Sequence, residues 1–176
     1  MRLTRLIVPA LATAGILTGC ATSPTTRQTP RCKATQLALH AGQAEAGMGH
    51  VTLPLVIENR SNARCVLSGT PRLQLLAVGH RKLPTHQRAD PYAAPAGTFT
   101  LAPGAAARFT LHYATATGYS GASCPSAAAL NVTLAHLRRP LHLRLRIDAY
   151  GGLLPHPACG TLWVSPLQPG APQPNN

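Results

Sequence analysis

The sequence predicts an all-β chain, an antiparallel β-sandwich of about eight short strands. Three observations carry that expectation. Apolar side chains recur at every second position in several short runs. Glycine and proline, 15 and 17 of 176 residues, punctuate those runs. Nothing after residue 20 sustains the period of an amphipathic helix beyond one candidate turn, Ser126 to Leu130.

The elements follow in chain order. Leu37-Ala38-Leu39 opens the series, and Leu53, Leu55 and Ile57 share one face of the next strand. Pro54 sits among them; it cannot donate to a ladder, so it marks an edge or a bulge. Glu58 to Asn62 and Ser68-Gly69-Thr70-Pro71 read as turns. Leu73 to Val78 is the third strand, and Phe99 with Leu101 the fourth. Pro103-Gly104 turns the chain into Ala107, Phe109, Leu111 and Tyr113, which alternate with Arg108, Thr110 and His112. Leu130, Val132 and Leu134 alternate with Asn131, Thr133 and Ala135. Leu141, Leu143, Leu145 and Ile147 alternate with His142, Arg144, Arg146 and Asp148, the clearest half-buried strand. Tyr150-Gly151-Gly152 turns the chain again, and Leu162-Trp163-Val164 is the last strand.

The N-terminus carries a different signal. Arg2 and Arg5 precede the uncharged, apolar run Leu6 to Leu17. That run is shorter than the roughly 20 residues that span a bilayer and fits the core of a secretory signal peptide. It ends in Leu17-Thr18-Gly19-Cys20, which resembles the bacterial lipobox. The resemblance implies cleavage before Cys20, a diacylglyceryl group on its thiol, and a fatty acyl chain such as palmitate on the new N-terminus. The expected organisation is a signal peptide at 1–19, a lipidated, flexible tether at 20–31, a β-sandwich domain at 32–167 and a disordered tail at 168–176. The membrane, reached through lipid on Cys20, is then one partner, and the protein is exported to the bacterial cell envelope.

Five cysteines are odd for an exported chain until Cys20 is assigned to lipid. Cys32, Cys65, Cys124 and Cys159 remain, enough for two disulfides. Cys32 precedes the first strand and Cys65 follows the second. An antiparallel pair of consecutive strands brings those points together, so Cys32–Cys65 and Cys124–Cys159 are expected. No CxxC is present to suggest a zinc knuckle.

Further residues carry a resemblance. Asn59-x-Ser61…Cys65-x-Leu67-x-Gly69-x-Pro71 is followed by Leu101-x-Pro103-Gly104-x-x-Ala107-x-Phe109. Cys124-Pro125…Leu130-x-Val132 and Cys159-Gly160-x-Leu162-x-Val164-x-Pro166 complete the series. This order resembles the domain-of-unknown-function 4232 family of bacterial exported proteins and lipoproteins, over about residues 32–167. The resemblance implies an exported β-sandwich, immunoglobulin-like in form, with no assigned activity. The basic insert Gly79 to Arg88 departs from the pattern.

Composition narrows the chemistry. Only 11% of residues are charged, split as 16 Lys+Arg against 4 Asp+Glu. Loss of residues 1–19 removes only Arg2 and Arg5, leaving 14 against 4, a net +10. Four carboxylates are a thin stock for hydrolysis or hard-metal binding. No Gly-x-Ser-x-Gly elbow occurs, and Ser120 reads as a turn residue, so no enzyme activity is expected. The eight histidines are scattered, with no HxH or HxxxH pair. His50, with Met48 nearby, comes nearest to a soft-metal site, but no metal or other cofactor is expected. Metal handling or hydrolysis by histidines in loops 79–97 and 114–124 is the alternative. Arg138, Arg139, Arg144 and Arg146, with His142, form a basic stripe able to meet anionic envelope polymers; another envelope protein is the other candidate partner. Aromatic residues, at 4%, are too few for a nucleic-acid stacking platform, so no nucleic acid is expected. Asn59-Arg60-Ser61 and Asn131-Val132-Thr133 match a glycosylation sequon by coincidence.

Overall fold

The computed structural model describes residues 28–114, 127–145 and 161–170. After a 3-10 turn at Ala34–Gln36 come β1 (Leu37–Ala41), β2 (Glu45–Gly47), β3 (His50–Asn59), β4 (Cys65–Ser68) and β5 (Arg72–Leu76). A second 3-10 turn, Val78–His80, leads to β6 (His86–Ala89), β7 (Thr98–Leu101), β8 (Ala106–Ala114) and β9 (Ala129–Thr133). β10 (Leu141–Arg144), β11 (Thr161–Val164) and β12 (Gln168–Gly170) complete the order. The described residues contain no α-helix; Ala127 and Ala128 lead straight into β9 where a helical turn was expected.

All eight expected strands are present, and four more join them. β2, β6 and β12 have no buried position to mark a period, and β4 alternates over only four residues. β12 also corrects the expected tail, because Gln168–Gly170 pairs with β8. At the other end, Pro30 accepts from Val66 N at 2.9 Å and Arg31 bridges to Val66, so the expected tether is bonded to β4 at its last residues.

The strands form three sheets. A seven-stranded sheet runs β1–β3–β8–β11–β6, with β2 on β3 and β12 on β8. β10–β9–β5 form a second sheet and β4–β7 a third. Every ladder between these strands is antiparallel except β6 with β11, so the architecture is mixed, where the sequence predicted an antiparallel one. The parallel pair arises from the basic insert. It folds back along β5, where Leu83 N donates to Leu75 O, then crosses to the large sheet and delivers β6 beside β11. On the way it covers the open edge of β5. Leu73 N donates to Gln87 Oε1 and Leu75 N to Thr85 Oγ1, so side chains satisfy groups that would otherwise form an exposed edge.

The alternating residues face one buried cluster shared by all three sheets. In the large sheet, Leu53 pairs with Leu111 and Leu111 with Val164, while Val51 pairs with Tyr113 and Tyr113 with Leu162. In the second sheet Leu143, Leu130 and Leu75 form an inward row. Phe109, Leu55, Leu111 and Leu130 are essentially inaccessible. A buried side chain of this size stabilises by about 1.5–3 kcal/mol.

Pro54 stands at a bulge. β1 ends with Ala41 opposite Leu55, and β2 begins with Glu45 opposite Thr52. Residues 42–44 loop past the proline, whose carbonyl accepts from Gly42 N at 2.8 Å. A Cβ on Gly42 would lie 2.9 Å from Pro54 Cγ, so any larger residue there forces a local shift.

The family-like motif residues form a clasp. Cys65, which opens β4, is disulfide-bonded to Cys32, as the strand order predicted. Asn59, fully buried, ends β3. Its Nδ2 donates to the carbonyls of Ala63, Leu101 and Ala102 at 2.8, 3.1 and 3.2 Å. Its Oδ1 accepts from Ser61 N and Ser61 Oγ. Gly104 N donates to the Asn59 carbonyl, and Leu167 N to that of Gly69. The sequon asparagine is thus consumed by structure. Cys20, Cys124, Cys159 and Arg146 lie outside the described residues, and with them the lipid site and the second disulfide.

Candidate functional site

The basic stripe falls on the β5–β9–β10 sheet. Leu141 and Leu145 are buried, Leu143 is partly so, and His142 and Arg144 are exposed, the phase expected of a half-buried strand. Two cross-strand rows carry the polar residues of this sheet. Arg144 pairs with the buried Ala129, Ala129 with the buried Leu76, and Leu76 bridges to Lys82. His142 pairs with Asn131 and Asn131 with Gln74. His142 Nδ1 lies 2.9 Å from Asn131 Oδ1, which orients the ring. The turn after β5 brings His80 over this face, its ring centroid 5.4 Å from that of His142.

Arg138 and Arg139 are exposed in the turn before β10, with Arg144 at its far end. β10, which separates them, rises about 10 Å at about 3.3 Å per residue, so the arginines line a stripe rather than converge on one anion. Lys82 and His80 are the additions that sequence reasoning missed. Their signal was the unmatched basic insert, but only the fold-back along β5 shows which sheet it joins.

Carboxylates are placed elsewhere. Among the described residues they are Glu45, Glu58 and Asp90, none of them on the basic sheet. Glu58 Oε2 lies 3.4 Å from His40 Nε2 and 3.3 Å from Arg60 Nε, an accessible cluster of small energetic weight. Asp90 Oδ1 accepts from Tyr92 N within a turn. No three His, Cys, Asp or Glu side chains are grouped for a metal ion among the described residues.

Two titratable groups hold their polar atoms out of solvent. The Tyr113 hydroxyl has no hydrogen-bond partner among the described residues, and burial pushes its pKa up. His136, in the turn after β9, has both ring nitrogens buried and without a hydrogen-bond partner among the described residues. Burial, and secondarily the positive charge of Arg31, hold its pKa below the usual histidine range, so it stays neutral.

A family model described as Domain of unknown function (DUF4232) matches residues 32–168, and the chain belongs to that family. No curated protein and no solved structure matches the chain.

Proposed function

We propose that this member of the DUF4232 family is a lipid-anchored envelope protein whose domain is a non-catalytic binding module. On this reading the three sheets make up an immunoglobulin-like sandwich held to the membrane by lipid on Cys20. The ligand is an anionic envelope polymer, met by His80, Lys82, His142 and Arg144 along the cross-strand rows and by Arg138 and Arg139 at one end. The observation that carries the reading is that this sheet presents cations and none of the described carboxylates. A stripe of separated charges suits a chain of repeating phosphates better than a single small anion. It attracts such a chain through summed field and not through a shaped pocket.

The test uses the Cys20→Ser variant, which lacks the acylation site, titrated with polyphosphate. Binding is expected at low salt. It weakens steeply as the screening length falls from about 10 Å at 0.1 M to about 3 Å at 1 M. Lys82→Glu combined with Arg144→Glu lowers affinity at least tenfold and leaves the thermal midpoint nearly unchanged, because exposed charges contribute little to stability. Equal binding by that double variant refutes the basic-face reading. The anchor is tested separately: Cys20→Ser abolishes lipid labelling of the exported chain, and persistent labelling rejects the assignment.

A further inference from the structure

The outward face of the seven-stranded sheet carries a second cluster, built from residues far apart in the chain. Register places Glu45, Thr52, His112, Trp163 and Arg88 in one row across β2, β3, β8, β11 and β6. His50 lies on the same face, two residues before Thr52. Its ring stacks on that of His112, with centroids 5.2 Å apart and planes 11° from parallel. The Trp163 ring follows at 6.0 Å from His112, tilted by 50°. Thr52 Oγ1 lies 3.0 Å from His112 Nδ1.

That last contact decides what His112 offers. When Nδ1–H donates to the threonine oxygen, Nε2 keeps its lone pair as a ligand, and the ring is held in place. This is the usual support for a metal-binding histidine. His50 is exposed, at the end of a hairpin whose turn residues Met48 and Gly49 both have positive φ, 49° and 78°. Two imidazoles bound to one ion through nitrogen, each at about 2.0–2.1 Å, have centroids about 5 Å apart, close to the observed separation. The rings now lie nearly parallel, so convergence requires the accessible His50 side chain to turn while His112 stays on Thr52. The charges at the two ends of the row also favour a cation. Glu45 is on the strand next to His50, whereas Arg88 lies beyond Trp163. The indole face beside His112 adds an attraction for positive charge.

We propose that His50 and His112 form a two-imidazole site for a divalent transition-metal ion, Cu2+ ahead of Zn2+. Imidazole nitrogen suits both ions, and the order of intrinsic affinities places copper first. Water completes the coordination, so the site is open and exchanges its metal readily. Thr52 is a positioning residue. The site is independent of the basic face, which occupies another sheet.

Trp163 is the single tryptophan of the chain, so its emission reports on this cluster alone. The full chain in detergent is titrated with Cu2+ and, separately, with Zn2+ as a competitor. Cu2+ quenches Trp163 saturably, and Zn2+ at higher concentration restores the emission. His50→Asn and His112→Asn each raise the Cu2+ midpoint at least tenfold, and Thr52→Val raises it by about tenfold. His142→Asn leaves the midpoint unchanged. Electron paramagnetic resonance of the Cu2+-loaded wild type shows nitrogen coupling from two imidazoles, reduced to one in His50→Asn. That measurement stands even where His112→Asn fails to fold. Non-saturable quenching, a wild-type midpoint in His50→Asn, or an equal shift in His142→Asn overturns the proposal.

Discussion

Replacing Asn59 tests whether the family motif is a structural clasp. Its side chain is fully buried, with Nδ2 facing three carbonyl oxygens and Oδ1 facing two donors on Ser61. Asn59→Ala removes the side-chain donor from the buried Leu101 carbonyl, at a cost of about 1–3 kcal/mol. The carbonyls of Ala63 and Ala102 are only partly buried and recover water, so their cost is smaller. The two Ser61 bonds contribute about 1 kcal/mol each. With partial relaxation the sum is about 3–5 kcal/mol, a large share of the roughly 5–15 kcal/mol that stabilises a domain. The expected fall in thermal midpoint is on the order of 10–20 °C. Asn59→Asp is harsher at neutral pH, because a carboxylate oxygen then faces three carbonyls. Acidification narrows the gap to Asn59→Ala, since a protonated carboxyl can donate again. Urea unfolding followed by Trp163 emission, with the disulfide intact, measures both. A loss under about 1 kcal/mol for Asn59→Ala, given these costs, or identical behaviour of the two variants at every pH, refutes the clasp.

Three further outcomes follow from single contacts. Cys65→Ser opens a loop spanning 33 positions and is expected to lower stability by about 3–4 kcal/mol in the chain-entropy account, read by denaturant midpoint with and without reductant. Gly42→Ala drives a methyl group into the Pro54 ring, 2.9 Å away at Cγ, and costs about 1–3 kcal/mol; a midpoint equal to wild type shows that the bulge is not tight. Because the folded pKa of His136 lies below its unfolded value of 6.5, the unfolded chain binds the extra proton. Stability contributed by neutral His136 is therefore complete above about pH 6.5 and lost as pH falls toward the folded pKa. The difference in unfolding free energy between wild type and His136→Gln should change over that window; a pH-independent difference disproves the link.

What could be read from the chain alone was whatever local patterning encodes. Ala107 to Tyr113 and Leu130 to Leu134 place their burial correctly because period two is visible within one strand. Cys32–Cys65 was legible because β1 and β3 are antiparallel neighbours in order. β6 was not, since its short run has no buried position and its partner β11 lies 75 residues later. Lys82 and His80 joined the basic sheet only through the fold-back of the insert along β5. His112 meets Thr52 across 60 positions, and no spacing rule reaches that far.

The residues that mark the family face the core, while the residues proposed to bind lie on outward faces and turns of the same sheets. In Ala107-x-Phe109, Leu130-x-Val132 and Leu162-x-Val164 the named positions are buried, while Arg108, Asn131 and Trp163 are the intervening ones. Alternation makes this unavoidable: a motif written on the inward face constrains the core and leaves the outward face free. Exposed substitutions away from special features change stability by only about 0.5 kcal/mol either way, so outward residues can be exchanged without disturbing the fold. Two outward faces of this chain then hold unlike chemistry, cations on the β5–β9–β10 sheet and an imidazole–indole row on the large one. Being on different sheets without shared partners, they should act additively. Lys82→Glu with Arg144→Glu is expected to leave the Cu2+ midpoint read by Trp163 unchanged, and His50→Asn to leave polyphosphate affinity unchanged. Titration of each variant with both ligands decides the matter. A loss of both activities from either substitution refutes independence and points to a single site whose parts communicate through the core.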